Sequence, residues 1–346
     1  MPRQHPFTAH VPGLSNKEGI RYDVVGIGNA IVDVISMVDD GFLDANGMVK
    51  GSMSLIETDR ALSLTSSLSD RIETSGGSAA NTIAGVASLG GHAAYIGKVA
   101  DDPFGRIFTE GMRSIGVDFH SGNGGGDLPT ARSIVVVTPD AQRTMNTYLG
   151  VSTHLSLDDV DDRLVESAAV VYLEGYLFDR DEAKAAFRDA AARAHAAGRV
   201  VALTLSDSFC VDRHREDFRA LVRDDIDLLF ANEDELNSLY ECTDIDDAVA
   251  LLRQDCHIAA VTRSEKGSII VTRDDVHAVP AVPGVDVVDT TGAGDLFAAG
   301  FLWGLTQGRD LTTCARIGAV AAAEVISHVG PRPVVPLLEI LPADLR

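Results

Sequence analysis

Val170-Val-Tyr-Leu173, then a helix-forming stretch from Asp181 to Ala197, then Val200-Val-Ala-Leu-Thr204, make a strand, a helix and a second strand in about thirty-five residues. Both strand runs are short and apolar throughout, as in a strand covered on its two faces. The same alternation continues downstream. A helix near Glu216 to Val222 precedes Leu228-Leu-Phe-Ala231, and a helix from Glu233 to Tyr240 precedes Ala259-Ala-Val-Thr262 and Ser268-Ile-Ile-Val271. Helices over Asp295 to Leu305 and Leu311 to Ile326 close the series. Upstream, Tyr22-Asp-Val-Val-Gly-Ile-Gly28 reads as the first buried strand, a helix starts inside Gly76 to Leu89, and Ala94-Tyr-Ile-Gly97 is another strand. Strands joined by crossover helices predict an α/β fold, a doubly wound and mostly parallel sheet with its functional site at the carboxyl ends of the strands.

Two regions depart from that rhythm. Residues 37 to 72 are less regular, with polar turns at Asp39-Asp40-Gly41 and Asn46-Gly47. Residues 113 to 150 turn to β, with Ala131 to Thr138, a turn at Pro139-Asp140, and Arg143 to Tyr148 forming a predicted hairpin. These segments are expected to build a small β-rich lid on a main domain of residues 22 to 346. Residues 1 to 21 lack an apolar core and are expected to be a flexible lead-in.

The chain has 346 residues, 45% of them hydrophobic, which suffices for one large α/β core. Its 51 acidic against 29 basic residues give a formal net charge of -22, which repels nucleic acids and anionic membranes and so argues against both as partners. One nucleotide remains compatible, because backbone N–H groups, Mg²⁺ and a single Arg create local positive potential. Cys210, Cys242, Cys256 and Cys314 are widely spaced, without a C-x-x-C pair, as expected of reduced thiols in a cytoplasmic protein.

The chemistry concentrates in Val287-Val-Asp-Thr-Thr-Gly-Ala-Gly-Asp295, which runs straight into a helix. A turn made of Gly292, Ala293 and Gly294 presents free N–H groups and the positive end of the helix dipole to an anion such as a transferring phosphoryl group. Asp295, in the first helical turn, is placed to take a proton from a hydroxyl beside that phosphate. In isolation, the same acid would simply complement a helix dipole. What raises the reading is a second glycine segment, Ser75-Gly76-Gly77-Ser78-Ala79-Ala80-Asn81, followed by Leu89-Gly90-Gly91 and Gly97-Lys98-Val99-Ala100-Asp101-Asp102-Pro103-Phe104-Gly105.

Together these segments resemble the two signatures of the ribokinase, or phosphofructokinase-B (PfkB), family of carbohydrate kinases, over nearly the whole chain from Tyr22 to about Pro333. Gly28-Asn29-Ala30-Ile31-Val32-Asp33 and the hairpin Gln142 to Gly150 look most like its adenosine-kinase-like branch. The resemblance implies an ATP-dependent kinase acting on a nucleoside or sugar with Mg²⁺, as a monomer or homodimer. Asp295 is implied as the base, Asp33, Gly76, Gly77, Ser78 and Asn81 as acceptor-binding residues, and Arg143 as a phosphate contact. Asn232 and Glu235 of Asn232-Glu-Asp-Glu235 are implied in organising Mg²⁺ through water, where the residues alone read as a capped acidic helix start. Thr262, Ser264 and Gly267 are implied at the nucleotide, with Ser264 standing where the family often has Gly. Asp289 and Thr291 fall on a segment that related kinases use near a monovalent cation, which leaves K⁺ open. Tyr176, after Glu174-Gly175, is an aromatic that can stack on an acceptor base. The small Ala79 and Ala80 depart from many adenosine kinases.

Two other readings compete. A dinucleotide oxidoreductase is suggested by Gly26-Ile-Gly28 but lacks the third glycine, which is Ile31. A non-catalytic nucleoside sensor on the same fold is opposed by retention of the full set Gly292 to Asp295, Asn232 and Glu235.

Overall fold

The computed structural model describes residues 18–122, 127–140 and 142–346; the expected lead-in lies mostly outside them. The strands are β1 (Tyr22–Ile27), β2 (Ile31–Met37), β3 (Met53–Leu55), β4 (Arg71–Gly76), β5 (Ala93–Gly97), β6 (Asp118–Ser121), β7 (Ala131–Val137), β8 (Arg143–Tyr148), β9 (Ala168–Glu174), β10 (Val200–Thr204), β11 (Leu228–Asn232), β12 (Ile258–Thr262), β13 (Ser268–Thr272) and β14 (Val276–Val279). A nine-stranded sheet has the order β14-β13-β12-β11-β10-β9-β1-β5-β6. It is parallel from β6 to β12, and only β13 and β14 add antiparallel hairpins at one edge.

The apolar runs are explained by packing on both faces. Val24, Val170 and Ala202 belong to one core, and their chain neighbours Val25, Val171 and Leu203 belong to the other. The helices Ser78–Ser88, Ala293–Thr306 and Leu311–Val325 bury their apolar residues in the first core, and Asp181–Ala196 and Ser208–Asp225 in the second. The α/β doubly wound architecture is thus as the alternation implied.

A second, five-stranded sheet has the order β3-β8-β7-β2-β4. Its membership differs from the expected segments 37 to 72 and 113 to 150. β2 and β4, flanking the first segment, pair antiparallel within this sheet, whereas β6 joins the large sheet. The reason is visible in β2, whose residues alternate between buried and part-exposed, the pattern of a sheet with one covered face. Within 37 to 72 the chain forms two helices, Asp40–Ala45 and Thr58–Ser67. Two further helices carry sequence signals that periodicity did not reveal. Pro103–Ser114 starts with Pro after the N-cap Asp102, whose carboxylate accepts from Gly105 N, and Ile245–Asp255 is capped by Asp244. No helix among the described residues is long and apolar enough to cross a membrane.

Candidate active site

At the carboxyl ends of the strands, β1 is flanked by β5 on one side and β9 on the other, so the chain order reverses there and opens a crevice. The second sheet faces this crevice, and the two enclose a continuous cleft of about 1350 Å³. That volume exceeds the ~300–1,000 Å³ of an ordinary small-molecule pocket and leaves room for two ligands side by side.

Between β4 and the helix Ser78–Ser88 the chain turns at Gly77, where φ is 97° and a Cβ would stand 2.5 Å from the Asn29 carbonyl oxygen. Only glycine fits that turn. It delivers Ser78 and Asn81 to the start of the helix, where Ser78 Oγ donates to Asp295 Oδ1 at 2.7 Å and Asn81 Nδ2 donates to Asp295 Oδ2 at 3.0 Å. The two glycine segments therefore meet at one carboxylate. Burial pushes the Asp295 carboxyl up to about 6, against the opposing pull of these donors and of Arg332.

Gly292, with φ 82°, is the N-cap of the helix Ala293–Thr306. Ala293 N donates to Thr290 O at 3.2 Å, whereas a Cβ on Gly294 would meet nothing within 4 Å, so the backbone at Gly294 borders open cleft. Behind the turn, Asp289 Oδ1 accepts from Thr291 N at 3.0 Å and Thr291 Oγ1 at 2.7 Å, and Oδ2 accepts from Gly330 N at 2.9 Å and pairs with Arg143. Arg143, implied at the phosphates, is thus held from the lid hairpin against the base of the anion turn. Asp289 and Thr291 are likewise engaged with each other and with the turn's backing.

Asp33, on β2, also faces the cleft, with Gly76 directly against its carboxyl: a Cβ there would lie 2.3 Å from Oδ2. Burial raises Asp33 to about 6, opposed by Arg332 and Arg143. Tyr176 lines the cleft just past β9, its backbone N–H donating to Ser206 Oγ at 3.3 Å, and its phenol is pushed up by burial.

The other half of the cleft holds the remaining candidates. Thr262, Ser264 and Gly267 line it, and Ser264 takes a φ of 51°, the left-handed conformation that glycine adopts without strain in its place. Asn232 and Glu235 form a reciprocal cap: Glu235 N donates to Asn232 Oδ1 at 2.8 Å, and Asn232 Nδ2 donates to Glu235 Oε1 at 2.6 Å. The bland capping reading of these residues is therefore realised, while both still line the cleft. Glu235 is buried, and that burial, with Asp207, Asp234 and Asp295 nearby, raises it to about 7. Carboxylates that repel one another across a cleft fit a hydrated divalent cation, which oxygen ligands suit. Small residues, Ala319, Ala322 and Ala323, together with Ile326 and the loop Pro280 to Val285, provide apolar walls of a size for a nucleotide base.

Sequence reasoning missed two charged groups. Glu174 ends β9 and is 1% exposed; its Oε1 accepts from Asn29 N at 3.2 Å and Asn29 Nδ2 at 2.8 Å, and its Oε2 from Ala79 N at 2.8 Å. It ties the end of β1 to the helix that carries Asn81, and burial raises it to about 7. An acid ending an apolar strand was the available signal. The second, Arg332, sits in Pro331-Arg332-Pro333 with no pattern around it.

Comparison with known proteins decides the family. Residues 52–337 match the pfkB family of carbohydrate kinases. The chain belongs to that family. The adenosine kinase from Sinorhizobium meliloti superposes with a TM-score of 0.84 at 53% identity, over 92% of this chain and 98% of that one. A probable sugar kinase protein from Rhizobium etli CFN 42 gives 0.85 at 49% identity, over 92% and 97%. Fructokinase-1 of Zea mays is 31% identical over 66% of this chain and 72% of its own length. This pfkB-family protein is accordingly a kinase that uses ATP on a small-molecule sugar or nucleoside acceptor.

The four raised carboxyls that line the cleft of this pfkB kinase have a consequence for stability. Asp33, Asp295, Glu174 and Glu235 bind protons more tightly folded than unfolded, so the stability they contribute is present at low pH and is lost as pH rises through about 6 to 7. The ligand-free protein is expected to melt at a higher temperature at pH 5.5 than at pH 8, measured without Mg²⁺ at high salt so that surface repulsion is screened. A melting temperature that climbs towards pH 8 would contradict this.

Proposed function

We propose that this kinase phosphorylates the 5′-hydroxyl of a nucleoside, with adenosine the preferred acceptor. The observation that carries the reading is the composition of the acceptor half of the cleft: a carboxylate, Asp33, at one end, and a lid wall of Ile31, Met53, Leu55, Val135 and Met145 over it. Vicinal ribose hydroxyls would satisfy the carboxylate. The apolar wall suits the face of a base, whereas a free sugar would leave hydroxyls unpaired against it. Tyr176 adds an aromatic surface to the same half. The likeness to the Sinorhizobium meliloti adenosine kinase supports the same acceptor.

In this reading the acceptor oxygen attacks the γ-phosphorus, the bond to the ADP oxygen breaks, and the hydroxyl proton passes to Asp295. Ser78 and Asn81 orient that carboxylate. The N–H groups of Gly294 and Asp295 would face the charge that develops on the transferring group, since that of Ala293 is held by Thr290 O. Magnesium, when bound, neutralises phosphate charge; Asn232, Glu235 and Asp207 would hold it through its waters. The second sheet works as a lid that excludes water and so suppresses ATP hydrolysis.

A free-sugar acceptor is the second reading, favoured by the likeness to Fructokinase-1 of Zea mays. Specificity constants for adenosine, inosine, guanosine, ribose and fructose at fixed Mg-ATP separate the two. Adenosine is expected to lead; a free sugar ahead by about tenfold, or about 1.4 kcal/mol in the transition state, would overturn the nucleoside assignment and leave the kinase standing.

A further inference from the structure

The segment after the helix Leu311–Val325 touches both glycine motifs through three consecutive residues. Gly330 N donates to Asp289 Oδ2, and Pro331 packs so closely on Gly292 that a Cβ there would lie 2.6 Å from the Pro331 carbonyl oxygen. Arg332 reaches the other motif: Nε donates to Asn81 Oδ1 at 3.2 Å, Nη1 to Ser75 Oγ at 2.8 Å, and Nη2 lies 3.4 Å from Met112 Sδ. Ser75 belongs to the lid strand β4 and Asn81 to a core helix, so one guanidinium spans the joint between the two sheets.

These contacts have two effects. Asn81 can present either its oxygen or its nitrogen to Asp295, and the Arg332 donor takes the oxygen, which turns Nδ2 towards the carboxylate. The second is charge. Arg332 directs its donors to Asn81, Ser75 and Met112, yet burial draws it down to about 10 and it lies within the field of Asp33 and Asp295. The titratable groups that interact with Asp295 are Asp33 on β2, Tyr95 on β5, Tyr172 and Glu174 on β9, Tyr176 just beyond it, Glu235 at the head of its helix, and Arg332. Every one of these except Arg332 is an acid, so Arg332 is the one charged group among them that favours the ionised carboxylate, beside the Ser78 and Asn81 donors.

We propose that Arg332 is a positioning residue for phosphoryl transfer: it orients Asn81 so that its amide donates to Asp295, and it supplies the positive charge that keeps Asp295 a carboxylate. The inference rests on Asp295 being the base. It acts from behind the cleft and does not touch the acceptor.

The test compares Arg332→Gln, which removes the charge and keeps a donor, with Arg332→Lys, which keeps the charge and loses the fork. In the parent, kcat falls as pH drops through the Asp295 titration. Arg332→Gln is expected to move that acid limb up by about one pH unit, the size of shift an opposite charge at short range imposes. Arg332→Lys is expected to lower kcat while leaving the limb in place. An acid limb for Arg332→Gln that overlays the parent's would overturn the proposal, because a merely structural role slows both variants without moving the limb. Arg332→Met, whose side chain suits a site beside Met112, repeats the measurement if the Gln variant does not fold. The Asp295 carboxyl is also titrated by carbon NMR, assigned by its absence in Asp295→Asn. That titration needs no turnover: an upward shift in Arg332→Gln supports the proposed hold on the carboxyl, and no shift overturns it. Loss of the base reading itself appears separately, as an active Asp295→Asn enzyme.

Discussion

Asp295→Asn is expected to lower kcat by about 10²-fold or more, with the fold and the binding of ATP left nearly intact, because a general base and its orientation are together worth that much. Asparagine keeps the shape that Ser78 and Asn81 bracket but cannot accept the proton. The parent's pH dependence gives the matching signature. Only the carboxylate is a base, and its folded value is raised to about 6, so turnover is full above that pH and is lost as pH falls through it. The residual activity of the Asn variant should lack this limb. Turnover within about threefold of the parent would remove Asp295 from the mechanism, since that corresponds to well under 1 kcal/mol of barrier.

Asp33→Ala is expected to lower kcat/KM for adenosine by about 10²-fold or more, since each hydrogen bond to a charged group contributes about 1.5–3 kcal/mol and two are proposed here. Without the carboxylate the vicinal hydroxyls lose their acceptor and the 5′-hydroxyl is no longer aimed at Asp295. A 2′-deoxy acceptor makes only one of the two contacts in the parent, so its loss should be smaller by about tenfold. Steady-state kinetics with adenosine and 2′-deoxyadenosine on both proteins check this. Equal losses for both acceptors would mean that Asp33 supports the fold beside Gly76 and does not read the ribose.

Several elements were legible because their signals are local. The apolar strands β9 to β12 declare themselves by burial on two faces, and the helix Ala293–Thr306 by the Gly-Ala-Gly turn that opens it. The helix Ser208–Asp225 was only partly legible, as Glu216 to Val222. Its first turns depend on the Asp207 carboxylate capping Cys210 N, and a break at His214 disturbs its periodicity. The lid was misjudged at its edges because β2 and β4 are assigned to it by register with each other and with β7, and pairing register is not written in either strand alone.

By itself the sequence determined the α/β class, the glycine turn at Gly292 to Gly294 that opens a helix, and the resemblance to pfkB kinases, since periodicity, turn chemistry and glycine spacing are properties of neighbouring residues. Only the tertiary structure decided which groups surround the Asp295 carboxylate. Ser78 and Asn81 reach Asp295 across separations of 217 and 214 residues, and Arg332 reaches Asn81 across 251. The same packing gave Glu174 its donors from the ends of two other elements and bound Arg143 to Asp289. The physical reason is that a carboxylate's basicity is set by the charges and donors packed around it, and here these come from the lid strand, the core helix and the segment that follows the last long helix, which meet only when the chain has folded.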